Sequence, residues 1–199
     1  MTSIKGIIAI LTAMLLAGNA LADEKSIVVY FSRAGENYDV GDIKEGNTAK
    51  VAKVIAELTG SPIYEIKEAV PYPKNYRKCV LLAKKEEQAQ ARPAVKEPLQ
   101  DLSDYSIIYL GYPNWWGDCP MVVYTFLEKS KIDGKTILPF CTHAGSGLGA
   151  TARKLATTFP KAKVEQNNGF ALKGTIAQKD AAKTKSEVET WLRSLGKLK

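Results

Sequence analysis

Short runs of β-branched and aromatic residues alternate with amphipathic stretches along this 199-residue chain, and that alternation constrains its fold more than any other feature. Ser26-Ile27-Val28-Val29-Tyr30-Phe31 is apolar at nearly every position, the pattern of a strand buried on both faces of a parallel sheet. Comparable runs fall at 62–66, 106–111 and 136–141, and a fifth strand near Val164 is continued by an extended piece at 169–172. Between them the apolar period changes. Val51, Val54, Ile55 and Leu58 recur at i, i+3, i+4 and i+7, and so do Val188, Trp191, Leu192 and Leu195 in the last helix. Further helices are expected over 76–91, from Pro120 onward, and over 150–159. Asn47 or Thr48 is expected to cap the first helix and Gly60 to end it. Thr184 and Glu187 suit a capping box for the last helix, after a polar, linker-like segment at 174–185. The order βαβαβαβαβα predicts an α/β fold: one doubly wound, five-stranded parallel sheet of order 2-1-3-4-5 in a three-layer sandwich.

The first 22 residues follow a different rule. Lys5 is the only charge before Asp23, an apolar run follows, and Ala20-Leu21-Ala22 is a small-x-small cleavage pattern. This is the pattern of a secretory signal peptide. The run is shorter than the ~20 residues a spanning helix needs, so no membrane span is expected after cleavage. A domain over 23–199 would then work in the periplasm or be secreted. With 45% hydrophobic and 25% charged residues the chain has the composition of a folded protein. The net charge of +7 attracts anions, but the lysines are scattered and no nucleic-acid motif is present. Three cysteines leave at least one thiol unpaired, and in an oxidising compartment Cys79 with Cys119 is the expected disulfide. One histidine and scattered cysteines supply no spaced metal-ligand set.

In a sheet of this order ligands bind beyond the carboxyl ends of the strands, at the switch in strand order. The loops after strands one, three and four meet there, and they are the Gly-, Ser-, Thr-, Asn- and Trp-rich parts of the chain. The first begins Ser32-Arg33-Ala34-Gly35 and closes with Gly46-Asn47-Thr48 at a helix start. Backbone N–H groups at a helix N-terminus bind phosphate. Neither a P-loop lysine nor Gly-x-Gly-x-x-Gly is present, so a monophosphate fits better than a triphosphate or a dinucleotide. The second loop, Pro113-Asn114-Trp115-Trp116-Gly117, offers a platform for a flat ring. The third, Thr142-His143-Ala144-Gly145-Ser146-Gly147, offers backbone N–H groups and the only His of the chain.

On Val29-Tyr30-Phe31-Ser32-Arg33 with Gly46-Asn47-Thr48, together with the second and third loops, the chain resembles the flavodoxin-like superfamily. Within it the similarity is to exported flavodoxin-like proteins close to the flavodoxins and FMN-dependent quinone reductases. The resemblance implies FMN as cofactor. Ser32, Arg33, Ala34, Asn47 and Thr48 would lie around its phosphate. Pro113, Asn114, Trp115, Trp116 and Gly117, and Thr142, His143, Gly145, Ser146 and Gly147, would line its isoalloxazine. It also implies electron transfer or reductase activity toward a partner protein or a small acceptor such as a quinone. In family phosphate loops the hydroxyl, Gly, Asn and Thr positions form one short run. Here residues 36–45 interrupt it, beside the site, where they can cover it or meet a partner. Two rival functions belong to other classes. One is a non-redox binding module that has kept the fold and lost FMN. The other is a hydrolase using Cys141 or Ser146, which no organised triad supports.

Overall fold

The computed structural model describes residues 24–198. The predicted signal peptide lies outside them. β1 (Ser26–Tyr30) is central. It pairs in parallel with β4 (Ile63–Glu65) on one side and β5 (Ile107–Pro113) on the other. β5 pairs with β6 (Thr136–His143), which in turn pairs with β7 (Lys163–Val164) and then β8 (Phe170–Lys173). The order β4-β1-β5-β6-β7 is the expected 2-1-3-4-5, with the fifth strand in two pieces. Pro139, which has no N–H for a ladder, stands where β7 has ended and β8 has not begun.

The period of two sorts the strand residues onto the two faces. Ile27, Val29 and Phe31 of the first strand join Ile108, Leu110 and Tyr112 in one core. Helices α2 (Tyr76–Gln88), α3 (Met121–Lys129) and α4 (Thr151–Thr158) supply its other wall. Val28 and Tyr30 join Tyr109, Leu138 and Phe140 in the second core. That one is covered by α1 (Asn47–Thr59) and α6 (Ala181–Ser194), with the short α5 (Gly174–Lys179) beside them. Gly111 faces Phe140 across the ladder, and a Cβ there would run into the buried ring.

Four local expectations are corrected. Neither Asn47 nor Thr48 caps α1: the cap position is Gly46, and Ser32 Oγ takes the Ala49 N–H instead, at 3.1 Å. The segment 174–185 is not a linker but α5 and the start of α6. Asp180 caps α6 by accepting from the Lys183 N–H, while the buried Thr184 hydroxyl donates back to Asp180 O at 2.8 Å. α2 stops at Gln88 rather than at 91, closed by Ala89 N–H donating to Lys85 O. Finally, Cys79, Cys119 and Cys141 are all buried and free. Cys79 lies on α2, Cys119 just before α3 and Cys141 on β6, and the expected Cys79–Cys119 disulfide is not formed in the structure.

Residues 36–45 prove to be mostly a hairpin. β2 (Gly35–Asn37) and β3 (Gly41–Ile43) pair antiparallel around the loop Tyr38-Asp39-Val40. Asp39 and Gly41 both take positive φ, 63° and 75°, as a short hairpin turn demands.

Candidate cofactor site

The carboxyl ends of β1, β5 and β6 open into a cleft of about 420 Å³, within the ~300–1,000 Å³ usual for small-molecule sites. Its floor at one end is the start of α1. The hairpin brings Gly46 back against the loop it left, so closely that a Cβ on Gly46 would overlap Ser32 Oγ. That Cβ would also stand 2.6 and 2.8 Å from the Arg33 carbonyl oxygen and amide nitrogen. The two halves of the interrupted run therefore touch in space. Thr48 and Thr142 hydroxyls share a buried hydrogen bond of 2.8 Å that ties α1 to β6. The Asn47 carboxamide accepts from Gln178 Nε2 at 2.9 Å and packs on Gly174, where a Cβ would overlap it. With Ala49 N–H on Ser32 and Lys50 N–H on Gly46 O, the amides of Asn47 and Thr48 have no acceptor among the described residues. Two open donors at a helix start are an anion site in waiting.

The opposite wall is aromatic. Trp115 and Asp118 exchange backbone hydrogen bonds of 2.8 and 3.1 Å around Trp116 (φ 57°) and Gly117 (φ 82°). Positive φ at both central positions makes this a type I′ turn. Gly117 tolerates it, but a tryptophan there is strained. Trp116 is 53% exposed and is held by its indole N–H donating to Val80 O at 3.2 Å, with Lys84 Nζ 4.9 Å from the ring centre. Trp115 turns inward, edge-on to Phe31 and Tyr72 with centroids 5.7 and 5.0 Å away. Asn114 splices this loop to the next: its Oδ1 accepts from Gly117 N–H and its Nδ2 donates to Gly147 O, at 2.9 and 2.7 Å. Asp118 is buried, accepting from Cys119 N–H at 2.7 Å and paired with Lys154 at 2.8 Å. Its charge is thereby offset.

His143 Nδ1 accepts from Gly145 N–H at 2.9 Å, which leaves Nε2 as the protonated nitrogen. Burial, and then the nearby Lys173, push the imidazole pKa below its ordinary value. The ring is neutral near pH 7.

Of the predicted site residues, Arg33, Asn47, Pro113, Asn114, Trp115, Trp116, Thr142 and His143 line the cleft. Ser32 and Thr48 are not in its lining; they tie the start of α1 to the loop after β1 and to β6. Gly117, Gly145, Ser146 and Gly147 lie in the adjoining turns, and Ala34 is exposed at the hairpin base. Arg33 has a second task. Its guanidinium donates to Pro73 O (2.7 Å), Glu36 O (2.7 Å) and Lys74 O, strapping the hairpin to the loop before α2. The insert at 36–45 was expected beside the site, and its hairpin places Asn37, Tyr38 and Asp39 at the mouth. Sequence reasoning missed two further contributors. α2 supplies Tyr76, Cys79, Val80 and Ala83, whose small or inward-facing residues at i, i+3, i+4 and i+7 were the available signal. The end of β8 and the start of α5 supply Lys173, Gly174 and Thr175, which the tertiary packing brings to the cleft.

The comparisons agree with this architecture. A candidate flavoprotein of Bacteroides eggerthii DSM 20697 is 28% identical, covers 86% of this chain and 98% of its own, and superposes with a TM-score of 0.65. A candidate flavoprotein of Bacteroides uniformis ATCC 8492 is also 28% identical, over 83% and 97%, with a TM-score of 0.66. A flavoprotein of Lactobacillus acidophilus NCFM, solved in complex with FMN, shares the fold at 22% identity over 84% and 98%, with a TM-score of 0.60. Comparison with curated proteins finds no match. The family model described as Flavodoxin matches residues 25–193, which is nearly all of the described chain, and the chain belongs to that family.

Proposed function

We propose that this chain binds FMN in the cleft and acts as a redox protein outside the cytoplasm. It would exchange electrons with a partner protein or a small acceptor such as a quinone. One juxtaposition carries the proposal: two unpaired amides at the start of α1 stand at one end of a cleft whose other wall is the Trp115–Trp116 turn. The residues fit the group. Gly46 admits no side chain against Ser32 and Arg33, and the Asn47 and Thr48 amides that follow it are open to hold the phosphate. The Trp115–Trp116 turn and the loop from Thr142 to Gly147 would flank the ring, and His143 Nε2–H is a neutral donor for a ring acceptor. Bound FMN supplies the electron transfer.

The chain's own contribution is positioning and charge. Asp39 is the sole carboxylate among the described cleft-lining residues, set against Arg33 and Lys173. A net positive lining favours a reduced, anionic ring and raises its potential. Export is supported by Lys5, the apolar run after it and the Ala20-Leu21-Ala22 pattern.

Purified protein titrated with FMN should quench flavin fluorescence and turn yellow, one flavin per chain. A colourless protein that leaves the fluorescence untouched sinks the cofactor. Cell fractionation with intact-mass measurement tests the compartment. Exported protein should begin at Asp23, and a cytoplasmic protein that keeps residues 1–22 refutes export.

A further inference from the structure

Helix α2 carries an outer surface that neither the core nor the cleft uses. Tyr76, Cys79, Val80 and Ala83 line the cleft, and two of them are buried. Leu81 lies outside that set and is 62% exposed. A single exposed leucine is ordinary, but its surroundings are not. The residues three and four positions away on either side adjoin it on the helix surface, and they are Arg77, Lys78, Lys84 and Lys85. The acids of the helix are engaged: Glu87 pairs with Lys84 at 2.9 Å, and Glu86 accepts from the Tyr72 hydroxyl at 2.7 Å. Arg77, Lys78 and Lys85 have no side-chain partner among the described residues. Arg77 and Lys78 also stand in the first turn, which has no acidic residue of its own and where a cation opposes the helix dipole. Glu36 reaches that helix start from the hairpin, but its carboxylate accepts from Asn75 Nδ2 and Tyr76 N–H. The cations are therefore kept where the helix gains nothing from them, a local conflict of the kind found at functional surfaces. The patch runs on into the mouth of the cleft. Lys84 Nζ is 4.9 Å from the centre of the exposed Trp116 ring, whose N–H donates to Val80 O. Tyr76, one turn earlier, sets its ring 6.1 Å from that of Tyr38 on the hairpin. Asp39 and Asp42 are on the hairpin, across that contact from the helix.

We infer that this face of α2, with Leu81 at its centre, is the docking surface for an acidic partner protein seated beside the cleft mouth. The inference rests on the FMN reading above and deepens it, by giving the electron-exchange partner a charge and a place. An apolar residue enclosed by a polar ring is how interfaces concentrate binding energy. Unpaired charges of one sign around it steer an oppositely charged partner and fix its orientation. The matching footprint is a shallow apolar hollow ringed by Asp and Glu. One leucine is too little apolar surface to hold a bilayer, and a nucleic-acid backbone would use the cations but not the leucine.

The probe is cytochrome c, basic in its native form and acidic once its lysines are succinylated. FMN-loaded protein reduced by two electrons is mixed anaerobically with either ferric form in a stopped-flow instrument, so that each flavin reduces two haems. At low salt the succinylated form should react at least about 10-fold faster than the native form, and salt should shrink that advantage. The double variant Arg77→Glu/Lys78→Glu should lose about 10-fold in rate with the succinylated form. Its Tm should not fall, because acids then occupy the first turn of α2. Lys131→Glu/Lys163→Glu changes the net charge equally at the other end of the sheet, where Lys163 pairs with the first residue of β6, and should cost less than about 2-fold. Leu81→Ala should slow the succinylated form about 3-fold and leave its salt dependence unchanged. A double variant that behaves like the Lys131/Lys163 control, or a native cytochrome as fast as the succinylated one, overturns the inference. So does binding to phosphatidylglycerol vesicles that requires Arg77 and Lys78 while the cytochrome rates do not, which assigns the face to a membrane. Wild-type protein that takes up no FMN overturns the FMN reading alone. The docking surface is then judged on the apoprotein by calorimetry, where the succinylated form should bind more tightly than the native one and the double variant should abolish the difference.

Discussion

Replacing Gly46 with alanine isolates what the closed phosphate cradle is worth. The backbone at Gly46 has φ −68° and ψ 153°, a conformation any residue adopts. Alanine therefore brings no backbone strain and lowers the entropy of the unfolded chain, a gain of about 0.4–1 kcal/mol. Against it stands the packing. The new methyl overlaps Ser32 Oγ and lies 2.6 and 2.8 Å from the Arg33 oxygen and nitrogen. Two of these three atoms are backbone, so the loop itself must move, at about 1–3 kcal/mol for an overpacked site. Displacing Ser32 also breaks its bond to Ala49 N–H, the only side-chain cap on α1, for a further ~1 kcal/mol. The balance is a loss of about 2 kcal/mol, or roughly 4–8 °C in Tm for a chain of this size. Urea denaturation of the apoprotein measures the first quantity. FMN titration measures a second, because a displaced cradle should cost at least about 10-fold in affinity, some 1.4 kcal/mol. A Gly46→Ala protein as stable as wild type, with unchanged FMN affinity, would refute the idea that the two halves of the loop are in contact.

Three other expectations are independent of that one. Trp116→Asn puts a residue tolerant of positive φ at the strained turn position, so stability should stay within about 1 kcal/mol of wild type while FMN affinity drops, measured by melting and flavin titration. The chain has a single histidine, so its NMR titration reports His143 alone. A midpoint below 6.5 is expected in the native state. Because the unfolded chain then binds the proton more readily, stability should fall as pH drops below 6.5 through the native midpoint, and a native midpoint above 6.5 would contradict the half-buried environment beside Lys173. Burial pushes the Cys79 and Cys141 thiols up to about 11 and about 12 and raises Cys119 as well. An aromatic disulfide reagent should therefore find almost no reactive thiol in native protein and three after denaturation without reductant. Only one after denaturation would restore the disulfide.

The sheet was legible because buried parallel strands are written locally. Ser26 to Phe31 can be nothing else, and the helix faces carry their own period. The ends of elements were less so. Asn47 and Thr48 are good capping residues, but Ser32, 17 positions from Ala49, reaches the amide first, and no local rule encodes that competition. Asp180 displaced the Thr184–Glu187 box for a similar reason, since α6 begins earlier than its apolar face suggests. At the site, loops attached directly to strands one, three and four were found from topology. Tyr76 and Lys173 were not, because each arrives through tertiary packing: a helix laid along the cleft, and the end of a strand piece whose place beside His143 the apolar pattern does not state.

The hairpin between Gly35 and Ile43 has a consequence for how much of this chain can be exchanged. Its two ends meet at the cradle, and its attachments elsewhere run through Arg33 and through Glu36, whose carboxylate accepts from Asn75 Nδ2 and Tyr76 N–H. The chain leaves and re-enters the site at nearly one point, so the excursion is a cassette. Any segment that closes on itself between those ends, longer, shorter or of different chemistry, would hand the chain back to Gly46 in the same place. The lip of the cleft can then be rewritten without rewriting the grip beneath it.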